Sequence, residues 1–294
     1  MTNPPVLRQP YEFVKELARE DDTVRILARN SKTGEFVSIK ALRLGRDMER
    51  EFHCQKEAET LERIYHPHIV RTYEHWTDAD LFFLAQEFIQ GSDLETYAAS
   101  LGSLKPRDRI VRLVRVFKDV ARAVAALHEK QLVLGRISSQ EVVVETSGVP
   151  KLAYNALSFD EKNVGRMKRH IALMGTVSAV SPEELKGKDT STASDVYALG
   201  AAMYSVFSGT PLVSVTRYEE VAQAVCNEAP EPPTKYNPEI PAELDAIIMR
   251  TLERDAAKRT PGMSELARQL TGLLETLKPA GTTTKLFSAF RAGS

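Results

Sequence analysis

The chain has 294 residues, of which 43% are hydrophobic and 27% are charged, a composition typical of soluble globular proteins. Its 39 basic and 40 acidic residues leave a formal net charge of -1, so the overall charge does not favour nucleic acid or an anionic membrane as a partner. The cysteines, Cys54 and Cys226, are too few for a disulfide framework or a zinc module. No apolar run reaches the roughly 18 residues of a membrane span, and the N-terminus lacks a signal-peptide pattern. We therefore expect a cytoplasmic globular protein.

The first part of the chain shows mainly strand patterns. Residues 1–10 carry three prolines and no periodicity, so we expect a flexible lead-in. A helix is predicted between Asp47 and Tyr65, where apolar residues recur at helical spacing. The runs with strand character are Arg25–Asn30, Glu35–Leu42, Ile69–His75 and Leu81–Phe88.

Helical patterns dominate from Ser92 onward. A short pair of strand-like segments, around Ser147 and Gly148, interrupts them. The predicted helices are Asp93–Ser100, Pro106–Lys130, Thr192–Ser208, Tyr218–Asn227, Pro241–Glu253 and Met263–Leu277. We therefore predict an α+β domain over residues 11–278 with two lobes. The small, mainly β N-lobe spans 11–88, the larger, mainly α C-lobe spans 92–278, and residues 279–294 form a flexible tail.

Several short motifs follow one another in a fixed order along this domain. They are V-S-I-K ending at Lys40, the helical Glu57 followed by H-P-H-I-V at 66–70, L-A-Q-E-F-I-Q-G ending at Gly91, G-T at 175–176, S-P-E at 181–183, S-D-V-Y-A-L-G at 194–200, and the late Arg259. Their order and spacing resemble the protein kinase family, and within it the bacterial Ser/Thr kinase type. The resemblance implies the bilobal protein kinase-like fold.

The resemblance also implies roles for individual residues. Lys40 and Glu57 match the pair that holds nucleotide phosphates in the family, although the same pair could instead be a structural salt bridge between helix and sheet. Glu87 and Ile89 match the hinge that contacts a bound nucleotide, next to a gatekeeper at Gln86.

Three further residues match positions that hold the large lobe together in the family. They are Glu183, Asp195 and Arg259, and Glu183 and Arg259 are expected to form a buried ion pair. Their presence favours the fold and carries no information about catalysis.

The positions that handle protons and metal depart from the family pattern. Arg136 replaces the catalytic aspartate, and a guanidinium group stays protonated and cannot act as a base. Tyr154 replaces the aspartate that holds Mg²⁺, and a neutral phenol is a poor ligand for a hard cation. Glu141 replaces the metal-binding asparagine and keeps a carboxylate there. Arg136 and Glu141 are expected to pair across this site.

The glycine-rich loop is also altered. Residues 17–24 read L-A-R-E-D-D-T-V and contain no glycine, whereas close approach of backbone N–H groups to phosphate requires glycine. The three adjacent acids at 20–22 would repel a triphosphate. We therefore expect no magnesium site and little or no binding of ATP or another nucleotide.

These departures predict a catalytically inactive domain, not an enzyme, that acts as a regulatory or scaffolding module for an unidentified protein partner. The alternatives are an atypical nucleotide-binding transferase and a weakly active Ser/Thr kinase that uses Lys40 and Glu57. The basic run Gly165–His170 is either a solvated loop or a docking site for an acidic partner. Phosphorylation of Thr282, Thr283 or Thr284 by an active kinase would create a site for a phosphothreonine-binding protein.

Overall fold

The computed structural model of the chain describes residues 5–19, 22–45, 47–135, 137, 139–153, 180–215 and 217–277. The N-lobe is built on a five-stranded antiparallel sheet with the strand order β1-β2-β3-β5-β4. Its elements are β1 (Tyr11–Arg19), β2 (Thr23–Asn30), β3 (Phe36–Arg43), α1 (Met48–Glu62), β4 (Thr72–Asp78) and β5 (Leu81–Glu87). The helix α1 packs against β4 and β5.

The burial of each strand agrees with its position in the sheet. Five consecutive residues of β5, from Phe82 to Gln86, are buried, as expected of a strand covered on both faces. In β1 only Tyr11 is buried, as expected of an edge strand. Helix α1 begins where the Asp47 side chain accepts a hydrogen bond from the Arg50 N–H at 2.9 Å, and this cap satisfies one of the unpaired donors of the first turn.

The described part of the lead-in makes specific contacts with the sheet. The Arg8 guanidinium lies 4.3 Å from the centre of the Trp76 ring, and Tyr11 donates a hydrogen bond to Glu74 at 2.6 Å. Trp76 in turn stacks on Phe83 at a centroid distance of 4.9 Å. Aromatic side chains on the outer face of the sheet thus offer Arg8 a binding surface, and the flexibility of the lead-in stays a prediction.

The C-lobe combines helices with a small antiparallel sheet in the order β6-β7-β8. The strands are β6 (Gly91–Asp93), β7 (Val142–Glu145) and β8 (Pro150–Leu152), and the helices are α2 (Leu94–Ser100), α3 (Pro106–His128), α4 (Pro182–Leu185), α5 (Thr192–Ser208), α6 (Tyr218–Asn227), α7 (Ala242–Thr251) and α8 (Met263–Thr276). The predicted α+β architecture with two lobes is confirmed.

One hydrophobic core connects the two lobes. It runs from the C-lobe helices, where Phe117 and Leu199 are buried, into the N-lobe, where Phe82 and Leu84 belong to the same cluster. A second, smaller cluster covers the outer face of the N-lobe sheet. Because the lobes share a core, the residues at their junction have defined positions. No helix in the parts of the chain described above combines the length and apolar character that crossing a membrane requires.

Candidate functional site

A small cavity lies where the two lobes meet, and its lining includes four residues that the kinase-like motifs indicated, Lys40, Gln86, Glu87 and Ile89. Its volume is about 90 Å³. The lining residues are Leu17, Arg25, Ser38 and Lys40 from the sheet, Val70, Gln86, Glu87, Phe88 and Ile89 around the inter-lobe connection, and Val143 and Ala153 from the C-lobe. The structure therefore brings Lys40, Glu87 and Ile89 together in one cleft.

Strand alternation places Lys40 in this cleft. On β3, Val37, Ile39 and Ala41 are buried in the cluster on the outer face of the sheet. Successive side chains of a strand point to opposite faces, so Ser38 and Lys40 face the cleft. Only 9% of Lys40 is exposed, so most of this residue is shielded from solvent.

Helix periodicity places Glu57 on the side of α1 that carries its buried residues. Cys54, Ala58 and Leu61 are the buried residues of α1, and Glu57 lies on the same stripe because residues three and four apart share a helix face. Glu57 is itself partly buried. Its direct pairing with Lys40 stays a prediction.

The hinge residues are fixed by polar contacts. The buried Gln86 donates from Nε2 to the hydroxyl of Thr72 at 3.2 Å, so the gatekeeper side chain is held by β4. Glu87 accepts hydrogen bonds from Lys151 Nζ at 3.2 and 3.0 Å and from the Arg71 N–H at 3.2 Å. Since its carboxylate is occupied in this way, contact between Glu87 and a bound base would have to use the backbone.

Asp195 anchors the loop that carries the altered catalytic position. It is fully buried and accepts hydrogen bonds from His128 Nε2 at 2.7 Å and from the N–H groups of Leu134 and Gly135 at 2.9 and 2.8 Å. These two N–H groups immediately precede Arg136 in the chain. Asp195 therefore fixes the start of this loop, and His128 has a structural hydrogen-bonding role.

A second buried anchor joins Glu183 to Arg259, as the resemblance implied. The two side chains form a bidentate pair with both N–O distances at 2.7 Å, and Ser194 donates a third hydrogen bond to Glu183 at 2.8 Å. Burial opposes ionisation of Glu183, but the hydrogen bonds and charge of Arg259 outweigh it and lower the pKa of the carboxyl. The Arg259 guanidinium also lies 5.1 Å from the centre of the Tyr197 ring.

Some predicted functional residues lie outside the described part of the chain. They are Arg136, Tyr154, the basic run at 165–170 and the threonines at 282–284. Glu141 ends a short helical turn at 139–141, and its carbonyl accepts a hydrogen bond from the Ala153 N–H at 2.8 Å. The pairing of Arg136 with Glu141 stays a prediction.

The chemistry of the donor set does not fit a magnesium ion held by two protein ligands. The backbone of Glu141 lies directly beside Ala153, which precedes Tyr154 in the chain. The two positions that hold metal in the family therefore carry one carboxylate and one phenol, and a neutral phenol is not a ligand that Mg²⁺ favours.

Among the charged residues that line the cleft, Arg25 is the one that the motifs did not indicate. It lines the cavity from β2 and is partly buried, whereas its neighbours Val24 and Ile26 are buried on the other face of the sheet. The alternation along β2 was the available signal, but it identifies the cleft side only when the pairing of β2 with β3 is known.

The comparisons with known proteins agree with this arrangement. A family model described as protein tyrosine and serine/threonine kinase matches residues 22–270. The chain is 26% identical to the serine/threonine-protein kinase PknB of Mycobacterium tuberculosis, over 92% of this chain and 44% of that protein. It is also 26% identical to the probable serine/threonine-protein kinase SCO3848 of Streptomyces coelicolor, over 100% of this chain and 44% of that protein.

Among solved structures, the kinase domain of Mycobacterium tuberculosis PknI is similar, with a TM-score of 0.69 and 20% identity. The alignment covers 91% of this chain and 97% of that domain, and at this identity it shows the fold alone. The chain spans less than half the length of the curated relatives it matches.

These comparisons contradict one prediction made from the sequence. We expected a domain that is not an enzyme, because the residues for metal and proton handling are altered. The relatives are named as serine/threonine-protein kinases, so that prediction is wrong. With the family model covering most of the chain and the fold matching a kinase domain, the chain belongs to the protein tyrosine and serine/threonine kinase family.

Proposed function

We propose that the chain is a nucleotide-binding kinase domain that phosphorylates serine or threonine weakly, using Lys40 and Glu57. One observation carries the proposal: Lys40 lies in the same cavity as the hinge residues Glu87 and Ile89. A nucleoside triphosphate that binds in such a cleft needs a cation for its phosphates and a hinge for its base. The names of the curated relatives support the same assignment.

The proposed reaction transfers the terminal phosphoryl group of the nucleotide to a hydroxyl. The bond between the γ-phosphorus and the bridging oxygen breaks, and the nucleoside diphosphate leaves. A new bond forms between that phosphorus and the serine or threonine oxygen, and the hydroxyl proton passes to solvent. Lys40 would offset the charge of the phosphates, and most of the catalysis in this reaction class comes from such positioning and charge stabilisation.

The expected rate is low because a general base is absent from the family's position. Arg136 stands there, and general-base catalysis typically contributes about 10²–10⁴-fold. We therefore expect turnover reduced by about this factor relative to a kinase that has the aspartate. Asp195 still binds the N–H groups of Leu134 and Gly135, so we attribute the expected loss to proton transfer and not to a change in the fold of the C-lobe.

The size of the cleft adds a second constraint. Its volume of about 90 Å³ is below the roughly 300–1,000 Å³ of typical ligand pockets. The lobes must open at the hinge before a nucleotide can enter, and this opening reduces the apparent affinity. The larger groove in the described part of the chain, about 720 Å³ between α3 and α8, contains none of these cleft residues.

The test is transfer of radiolabelled phosphate from ATP to the chain itself and to a generic protein substrate. We expect slow transfer by the wild type and a loss of at least about tenfold in Lys40→Met, because the phosphates lose their buried cation. Lys32→Met, which removes an exposed lysine from the β2–β3 turn, is the matched control and should retain full activity. The proposal fails if the wild type transfers no phosphate, or if Lys40→Met transfers it as fast as the wild type.

The whole protein's substrates and partners stay predictions, since the relatives extend well beyond the matched region. This includes a phosphothreonine-binding partner for the C-terminal threonines.

A further inference from the structure

Two arginines on the exposed face of α3 have no side-chain partner in the described part of the chain. Arg112 and Arg115 are both exposed, and neither side chain forms an ion pair or a hydrogen bond with another described residue. Residues three apart on a helix are neighbours, with their Cβ atoms about 5–6 Å apart. The pair therefore presents two guanidinium groups to solvent from one face of α3.

The acidic side chains one turn away on α3 do not pair with these arginines. Asp119, one turn after the pair, lies 3.1 Å from Lys118 Nζ and 3.6 Å from Arg122 Nη1. Asp108, one turn before it, forms no side-chain ion pair with another described residue. An anionic ligand can therefore approach the two guanidinium groups without displacing a carboxylate from them.

The end of α8 brings the following segment of the chain to the start of α3. Arg107 donates hydrogen bonds from Nε and Nη2 to the carbonyl oxygen of Leu277 at 3.2 and 2.8 Å. Arg112 and Arg115 lie five and eight residues further along α3 than Arg107, which is about 8 and 12 Å along the helix axis. The segment after Leu277 thus starts close to the arginine pair.

The three threonines at 282–284 are within reach of this pair. Thr282 follows Leu277 by five residues, and an extended chain spans at most about 3.3–3.6 Å per residue, or about 17 Å in total. This length covers the distance along α3 and a path around the helix, whose diameter with side chains is about 10–12 Å.

We propose that Arg112 and Arg115 bind the segment 282–284 of the same chain when its threonines are phosphorylated. Phosphorylation transfers a phosphoryl group from a nucleoside triphosphate to the threonine oxygen, and it releases the nucleoside diphosphate and a proton. The inference does not depend on the proposed function, because another kinase can add the phosphate.

The charge of the segment selects its phosphorylated form. Unmodified threonines are neutral and Lys285 follows them, so the unmodified segment has no negative charge with which to attract the arginines. A phosphothreonine carries about −1.5 to −2 charges and three strong acceptor oxygens. Guanidinium groups bind phosphate oxygens through bidentate hydrogen bonds, which suits two neighbouring arginines. Phosphorylation therefore decides whether the segment is held against the C-lobe.

The test is a ³¹P NMR titration of the full chain with a phosphothreonine installed at position 283. The second pKa of such a phosphate is ordinarily about 6, and neighbouring cations lower it because they favour the dianion. We expect the phosphate pKa in the wild type to lie at least about 0.5 below that in the double variant Arg112→Gln, Arg115→Gln. The double variant should match a free phosphopeptide with the sequence of residues 278–294.

The double variant Arg29→Gln, Arg43→Gln is the matched control. It removes the same charge from exposed positions on β2 and β3, in the other lobe, and it should leave the phosphate pKa at the wild-type value. Thermal unfolding of each variant verifies that the chain remains folded.

Three outcomes overturn the inference. One is a phosphate pKa that is equal in the wild type and in Arg112→Gln, Arg115→Gln. Another is an equal rise of the pKa in both double variants, which would reflect the overall charge and not a contact. The third is a lowering that grows with protein concentration over a tenfold range, which would assign the site to the segment of a second copy. A lowering that is specific to Arg112 and Arg115 and independent of concentration would confirm it.

Discussion

The buried anchors of the C-lobe and the cleft between the lobes differ in what their residues contact. Asp195 and Arg259 are almost fully buried, and each satisfies several polar partners within the protein. The cleft residues Arg25 and Lys40 face a cavity that opens between the lobes. Replacing an anchor leaves buried groups without partners, which costs folding free energy. Where a side chain faces the cavity, water or a ligand can replace a lost partner, so the cost is smaller and the fold can persist while the chemistry of the cleft changes.

The largest effect that would test this comparison is expected from Asp195→Ala. Its loss leaves two backbone N–H groups and His128 without their acceptor, and we expect the free energy of unfolding to fall by about 3–5 kcal/mol. Chemical denaturation measures the change. Asp189→Ala, which removes an exposed acid from the same lobe, should change stability by less than about 0.5 kcal/mol. Equal effects of the two substitutions would show that Asp195 is not an anchor.

A smaller loss, about 3 kcal/mol, is expected when Arg259→Met leaves the Glu183 carboxylate without its cation. The double variant Glu183→Leu, Arg259→Met should lose less than Arg259→Met alone, because it leaves no unpaired charge. A double variant less stable than Arg259→Met would contradict this account.

The same ion pair predicts a pH dependence. The pKa of Glu183 is lower in the folded chain than its ordinary value of 4.5. Its contribution to stability is therefore complete above that value and is lost as the pH falls through the lowered folded pKa. Denaturation curves between pH 7 and pH 3 should show this acid-induced loss in the wild type, and Glu183→Gln should lack that component.

The smallest effect is expected at the wall of the cleft. Lys151 and Glu87 are 16% and 29% exposed, so their ion pair is weakened by solvent. Lys151→Met should lower the free energy of unfolding by less than about 1 kcal/mol, measured under the same denaturation conditions as Arg259→Met. A loss as large as that of Arg259→Met would remove the distinction between anchor and cleft.

The order of the motifs along the chain was enough to predict the two-lobed α+β fold and the identity of the anchors. Asp195, Glu183 and Arg259 were predictable because each lies in a short motif whose order along the chain is specific, and the structure shows their partners. Helix α3 was predictable from local periodicity alone, since its apolar residues recur at helical spacing over 23 residues.

Which side chains share a surface depends on how distant parts of the chain pack together. Arg25 faces Lys40 because of the register between two strands, and Arg8 packs on Trp76 through contact with a strand far away in the chain. The ion pair between Glu87 and Lys151 likewise joins the hinge to a C-lobe strand. Such juxtapositions depend on non-local pairing, and a register shift of one residue would turn every side chain of a strand to the other face. Local patterns in the sequence cannot determine the register between strands.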